Sequence, residues 1–278
     1  MGAPSASQVL QTNKPDDSED HLASGEKPTR PQVAMHSLNT VKDARKLISV
    51  LRDIVIALIH LWSRKGTHRD VALWSMAMDK DGKGILLDLD MGFHNTSCFV
   101  PSCEMGYYRS GSFSFRAVSL ARHPYNYYEA YYDLESLFWV FSLLSLCTFE
   151  NDTYGGYGGR YRISNELSAV DNWRYTHSSV PVSTSVHYGT EAKDNILANA
   201  IEFDVHPLGK LFDDLRKLFY QLRLAYKAHR YEGGISAQIA YTTLKYESES
   251  STNNAVLRLF EEALASDRWS DEEPELVN

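Results

Sequence analysis

The sequence predicts a mainly helical α+β fold that carries one small β-hairpin. An amphipathic helical stripe begins just after residue 40, and a helix that is apolar nearly all round follows near residue 134. Between them, two short apolar runs flank a turn rich in Asp and Gly, which is typical of a hairpin. The chain has 278 residues, of which 43% are hydrophobic, so it can bury one sizeable core or two small ones.

The first part of the chain, residues 1–36, is predicted to be disordered. It is rich in Ser, Pro, Asp, Lys and Gly and holds few large apolar side chains. Such a segment cannot bury enough surface to offset the entropy that ordering would cost. Order is expected to begin near Asn39, with Thr40 and Asp43 as the N-cap pair of the first helix.

The first helix and the hairpin follow directly from residue spacing. Apolar side chains recur at helical steps from Val41 to Trp62, and Gly66 is predicted to end the helix. Residues 71–78 and 85–88 are predicted as the two strands, with residues 79–84 as the turn.

The remainder divides into two irregular stretches and several helices. Residues 89–130 lack periodicity and are predicted as a long loop, beneath which Tyr125, Tyr127, Tyr128, Tyr131 and Tyr132 are expected to pack. The apolar segment that follows is predicted as a central buried helix. Further helices are predicted near residues 191–203, 207–230, 235–246 and 253–265. The predicted folded domain spans residues 37–269, with an irregular insertion at 151–192 and an acidic tail at 270–278.

Charge and composition exclude some classes of partner and some cellular locations. The net charge is −8, with 36 acidic and 28 basic side chains, which argues against a nucleic-acid partner. The three cysteines are odd in number and lack metal-ligand spacing, which indicates a reducing compartment. No apolar run approaches eighteen residues and no secretion signal is present, so no membrane association is expected. The expected location is intracellular, in the cytoplasm or the nucleus.

Four short motifs stand in a fixed order along the chain. They are His68-Arg69-Asp70-Val71-Ala72, Leu86-Leu87-Asp88-Leu89-Asp90, Gly111-Ser112-Phe113-Ser114-Phe115-Arg116 and Asp133-Leu134-Glu135-Ser136. These motifs resemble those in the C-terminal lobe of the fungal-type protein kinase-like family, and the resemblance covers about residues 40–225. Two looser matches are Asn172-Trp173 and Glu191-Ala192-Lys193.

The resemblance implies transfer of a phosphoryl group from ATP, with Mg²⁺, to Ser or Thr hydroxyls of a protein. A hydroxyl is a weak nucleophile near neutral pH, so a carboxylate beside it can orient it and take its proton. By resemblance Asp70 is that base and Asp88 binds Mg²⁺, while His68 packs the loop and Arg69 anchors it. The implied supporting residues are Asp133, which hydrogen-bonds the loop backbone, together with Gly111 and Ser112.

The sequence departs from the family pattern at three points. Ser75 stands where the family has an asparagine that is the second Mg²⁺ ligand, and a hydroxyl is a weaker ligand. Ser119 replaces a glutamate, which removes an ion pair with an arginine from a later helix. Before residue 40 there is no Gly-rich loop and no phosphate-binding lysine, so the N-lobe is expected to be absent.

Two functional hypotheses therefore remain. In the first, the chain is a truncated or divergent Ser/Thr-type protein kinase that is inactive on its own. In the second, it is a pseudokinase, an interaction module that binds a protein partner without catalysis.

Overall fold

The computed structural model describes residues 35–89, 114–122, 128–151, 190, 193–231, 233–250 and 254–270. These residues form a mainly helical α+β unit with a small antiparallel sheet, as predicted. The strands are β1 (Met35–His36), β2 (Met76–Asp79) and β3 (Gly84–Leu86). The helices are α1 (Ala44–Ser63), α2 (Val118–Arg122), α3 (Ala130–Thr148), α4 (His206–Tyr231), α5 (Ile235–Glu249) and α6 (Ala255–Leu264), and residues 193–198 are also helical.

Helix α1 begins later than predicted. Asp43 caps it, because its carboxylate accepts a hydrogen bond from the backbone N–H of Lys46 at 2.8 Å. Thr40, the predicted cap, lies in a preceding 3-10 turn, where its hydroxyl donates to the carbonyl oxygen of Ser37 at 2.7 Å. The prediction of Thr40 was wrong because that turn uses its hydroxyl before the helix starts.

The sheet has three strands in the order β1-β2-β3, all antiparallel. The predicted hairpin is present but shorter, since residues 73–75 form a 3-10 turn in place of the start of the strand. Strand β1 pairs Met35 with Asp79 and His36 with Met78. These two residues fall inside the segment predicted to be disordered, so the ordered part includes at least residues 35 and 36. Composition could not indicate a two-residue strand that β2 orders through backbone hydrogen bonds.

The hairpin docks closely on α1. The backbone N–H of Gly84 donates to Asp53 Oδ2 at 3.1 Å, and a Cβ at Gly84 would lie 2.1 Å from the carbonyl oxygen of Val50. In the turn, Asp79 Oδ1 accepts from the N–H groups of Lys83 at 2.8 Å and Asp81 at 2.9 Å. The bond from Lys83, followed by those from Asp81 and Gly82, lowers the pKa of Asp79 below its usual value, although partial desolvation opposes this.

Helix α3 is the central buried helix, as predicted. Its Phe138 contacts Phe212 and Phe219 of α4, with ring centroids 5.6 and 5.4 Å apart. The later helices α4, α5 and α6 lie within a few residues of their predicted limits. The predicted insertion and tail lie outside the described residues, except residues 151, 190 and 270.

Candidate active site

His68 links the two loops that carry the predicted catalytic and metal-binding aspartates. It is fully buried, its Nε2 lies 2.7 Å from the carbonyl oxygen of Leu87, and its Nδ1 accepts from the N–H of Asp70 at 3.3 Å. Together these bonds require a neutral imidazole with its proton on Nε2. The loop that contains Asp70 is therefore bonded to the residue immediately before Asp88.

The carboxylate of Asp133 holds the same loop through its backbone N–H groups. Asp133 lies in the first turn of α3 and is fully buried. Its Oδ2 accepts from the N–H of His68 at 2.8 Å, and its Oδ1 accepts from the N–H of Arg69 at 2.9 Å and from the hydroxyl of Tyr128 at 2.6 Å. Burial raises the pKa of Asp133, while the three hydrogen bonds oppose that rise because they favour the charged form.

Two residues of the site have positive φ angles, which residues other than glycine rarely adopt. Arg69 has φ 69° and Asp88 has φ 56°. Each such residue costs of the order of 1–3 kcal/mol and persists only where its surroundings enforce it. At Arg69 the bond to Asp133 does so, together with the bond from its Nε to Thr67 Oγ1 at 3.1 Å. The strain therefore falls next to the predicted base and on the predicted metal ligand.

The side chains of Asp70 and Asp88 are accessible on this framework. Asp70 is half-buried and Asp88 is exposed. An exposed carboxylate supplies the hard oxygen that Mg²⁺ prefers, so Asp88 fits the predicted metal. Among the described residues, no cluster of three or more His, Cys, Asp or Glu side chains could hold a metal ion.

Ser75 does not fit the role of second metal ligand. Its side chain is buried, with 1% of the residue surface exposed. The single proton of its hydroxyl is shared between the carbonyl oxygens of Asp70 at 2.9 Å and Ala72 at 3.0 Å, and the oxygen accepts from the N–H of Ala72 at 2.9 Å. The hydroxyl therefore closes the loop on itself and fixes the backbone of Asp70.

A second buried carboxylate, which belongs to the last motif but had no predicted role, binds the start of α2. Glu135 of α3 accepts from the N–H of Val118 at 2.7 Å and from Trp139 Nε1 at 3.3 Å. Burial raises the pKa of Glu135, which the Val118 bond and the positive charge of Lys193 oppose. Lys193 donates to the carbonyl oxygen of Arg116 at 2.6 Å and lies over the Trp139 ring. The looser motif match at Lys193 thus lies at a buried anchor.

Ser119, which stands where the resemblance implies a glutamate, is buried in α2. Nearby, Arg223 of the later helix α4 pairs with Asp194. Arg122 of α2 pairs with the same carboxylate at 2.6 Å. Burial, aided by the nearby charge of Arg122, lowers the pKa of Arg223 to about 10. An acid at Asp194 therefore joins α2 to α4.

Sequence reasoning also missed residues whose contacts come from distant parts of the chain. Tyr128 was expected only to pack, yet its hydroxyl reaches Asp133. Trp74, 56% exposed, lies edge-on to Phe115 at 5.9 Å and so places an exposed aromatic ring on the loop of Asp70. Neither contact has a signal in local spacing. The predicted roles of Asp90, Gly111, Ser112, Asn172 and Trp173 concern positions outside the described residues.

Comparison with known proteins supports the family resemblance. Residues 32–147 match the family model described as fungal protein kinase. This range contains both loops joined by His68 and almost all of α3, so the predicted resemblance is confirmed there. Neither the curated proteins nor the solved structures gave a match. Helices in the described part of the chain are all too short or too polar to cross a membrane.

Proposed function

We propose that this chain transfers the γ-phosphoryl group of ATP to a Ser or Thr hydroxyl of a protein, with Asp70 as the general base. The observation that carries the proposal is the bond from His68 to the carbonyl of Leu87, which joins the loop of Asp70 to that of Asp88. The family match across residues 32–147 supports the same assignment, since it includes both aspartates.

The residues of the chain would divide the work in the following way. Asp70 would orient the acceptor hydroxyl and take its proton as the new O–P bond forms and the bond from the γ-phosphorus to the departing ADP breaks. Asp133 and Ser75 would keep the backbone of Asp70 in place through the bonds described above. Mg²⁺ bound at Asp88 would neutralise charge on the phosphates. Because the hydroxyl of Ser75 is held by the loop, we expect weak Mg²⁺-ATP binding and slow transfer by the isolated chain.

Phosphate transfer from radiolabelled ATP to casein, measured at saturating Mg²⁺, tests the proposal. Asp70→Asn should lower the rate by about 100-fold or more, since general-base catalysis contributes that much. Asp88→Asn should lower Mg²⁺-dependent stabilisation by ATP in a thermal melt. Asp81→Asn is the matched control, because Asp81 is exposed in the hairpin turn and forms a solvent-exposed salt bridge with Lys80. Transfer that survives Asp70→Asn contradicts the role of Asp70.

The second candidate function is a pseudokinase that binds a protein partner without catalysis. The inward-facing hydroxyl of Ser75 favours it, since this residue stabilises the loop and leaves the metal to Asp88. Phosphate transfer separates the two functions. Transfer to casein that Asp70→Asn lowers supports the enzyme, whereas a folded wild-type chain that binds a protein partner and transfers no phosphate supports the pseudokinase. A thermal shift with Mg²⁺-ATP reports nucleotide binding, which both functions allow.

A further inference from the structure

We infer that Tyr128 is a positioning residue that fixes the conformation of the loop carrying Asp70. Any effect of Tyr128 on catalysis rests on the proposed function. Tyr128 lies two residues before α3 and 58 residues after Asp70 in the sequence. It was expected only to pack beneath the neighbouring segment. Its contacts indicate a more specific role.

Tyr128 contacts both members of the Arg69–Asp133 hydrogen bond. Its hydroxyl donates to Asp133 Oδ1 at 2.6 Å, the oxygen that also accepts from the N–H of Arg69. The guanidinium carbon of Arg69 lies 5.3 Å from the centre of the Tyr128 ring, within the range of a cation–π contact. The same ring meets Tyr132 edge-on at 5.5 Å. One side chain thus fixes the acceptor oxygen and the arginine that binds to it.

Tyr128 supports the strained backbone conformation of Arg69. Arg69 has φ 69°, so the loop needs external bonds to hold it. The Tyr128 hydroxyl restricts Asp133 Oδ1 to the position in which it accepts from the N–H of Arg69, and Asp70 follows directly. Burial, followed by the charge of Asp133, raises the pKa of Tyr128 well above its usual value, so the phenol remains a donor at neutral pH.

The neighbouring Tyr131 is almost completely buried, and its hydroxyl lies 3.4 Å from the hydroxyl of Tyr241 of α5. The hydroxyl of Tyr128 instead bonds Asp133. For a tyrosine that only fills space, a change to phenylalanine keeps the ring and its contacts. For Tyr128, the same change removes the bond to Asp133 while the ring remains beneath Arg69. Tyr128→Phe therefore distinguishes a role in packing from a role in hydrogen bonding.

Hydrogen exchange at the backbone amides of His68 and Arg69, followed by NMR without nucleotide, tests the inference. Tyr128→Phe should speed exchange at these two amides about tenfold, the effect of losing a bond to a charged group, and Tyr128→Leu should speed it further. Tyr226→Phe is the matched control, since it removes a phenol that accepts from Arg230 at 3.0 Å on α4. Exchange in the buried turns of α1 should stay unchanged in Tyr128→Phe.

Two results overturn the inference. One is exchange at His68 and Arg69 that rises no more in Tyr128→Phe than in Tyr226→Phe. The other is a uniform rise throughout the protein that matches the loss of global stability in urea. Because no nucleotide is used, a wild-type chain that transfers no phosphate contradicts only the proposed function. If transfer is measurable, Tyr128→Phe should lower kcat with little change in the KM for ATP, since the loop and not the nucleotide contact is altered.

Discussion

His68 Nε2 and the carbonyl oxygen of Leu87 lie 2.7 Å apart and join two loops that are separated by the whole hairpin. The same imidazole accepts from the N–H of Asp70 through Nδ1. A single buried side chain therefore satisfies a backbone donor in one loop and a backbone acceptor in the other. Its removal should loosen both loops together.

His68→Phe keeps a ring of similar size but removes both bonds. We expect a loss of about 2–4 kcal/mol in the free energy of unfolding, because a backbone donor and a backbone acceptor lose their partner in a buried site. Urea unfolding measures the loss, and faster amide exchange at residues 87–89 should accompany it. His60→Phe, the same change on the exposed face of α1, is the control. Equal losses in the two variants would mean that His68 only fills space.

Asp133→Ala removes the acceptor for three donors, the N–H groups of His68 and Arg69 and the hydroxyl of Tyr128. Relief from burying a charge offsets part of this cost, so we expect a net loss of about 2–4 kcal/mol. Chemical denaturation measures it, with Asp81→Ala as the control for a lost exposed carboxylate. A loss as small as that of the control would show that the loop does not depend on α3.

The sequence could predict those elements whose pattern of apolar or turn residues lies within the element itself. Helices α1 and α3 carry their burial pattern in their own residues, and the hairpin carries it in its Asp/Gly turn. Strand β1 has no such pattern, because its two residues are ordered by β2. Helix α1 likewise begins at Ala44, with Asp43 as its cap, because a 3-10 turn that apolar spacing does not reveal engages Thr40.

The candidate site divides in the same way. Ordered motifs singled out Asp70, Asp88 and Asp133 before any contact was known. They could not show which way a hydroxyl turns, and Ser75 turns towards the carbonyl of Asp70. Nor could they show the contacts of Tyr128, whose partner Arg69 is 59 residues earlier in the chain. Both features depend on tertiary geometry, which single-residue identity does not contain.

Gly84→Ala tests the docking of the hairpin on α1. The added Cβ would lie 2.1 Å from the carbonyl oxygen of Val50, a backbone atom that cannot move without displacing the helix. We expect a loss of about 3 kcal/mol or more in the free energy of unfolding, at the upper end for overpacking. Urea denaturation measures it.

The control for Gly84→Ala is Gly233→Ala. Gly233 has φ 67° and no atom within 4 Å of the added Cβ, so only backbone strain of about 1–2 kcal/mol is expected there. If Gly84→Ala costs no more than Gly233→Ala, the hairpin must be able to move away from α1, and the bond from Gly84 to Asp53 would not fix its position.

Glu249 should make stability depend on pH. It ends α5, accepts from the N–H of Tyr131 at 3.3 Å, and shares Lys245 with Glu129. Burial, with help from the charge of Glu129, raises the pKa of Glu249 above 4.5, although Lys245 and the Tyr131 N–H oppose it. A raised folded-state pKa means that the contribution of Glu249 to stability is complete below pH 4.5. It is lost as pH rises through the folded-state pKa.

Glu249→Gln keeps an oxygen that can accept from Tyr131 but does not titrate. The wild-type chain and this variant should therefore have similar stability near pH 4, and the variant should gain stability relative to wild type between pH 4.5 and 7. Urea unfolding at a series of pH values measures the difference. Glu247→Gln, an exposed change on the same helix, controls for the loss of one negative charge. The difference in free energy of unfolding between Glu249→Gln and wild type should therefore grow as pH rises. A difference that stays constant or shrinks would contradict a raised folded-state pKa of Glu249, because only a raised pKa makes the folded state less stable as the proton leaves.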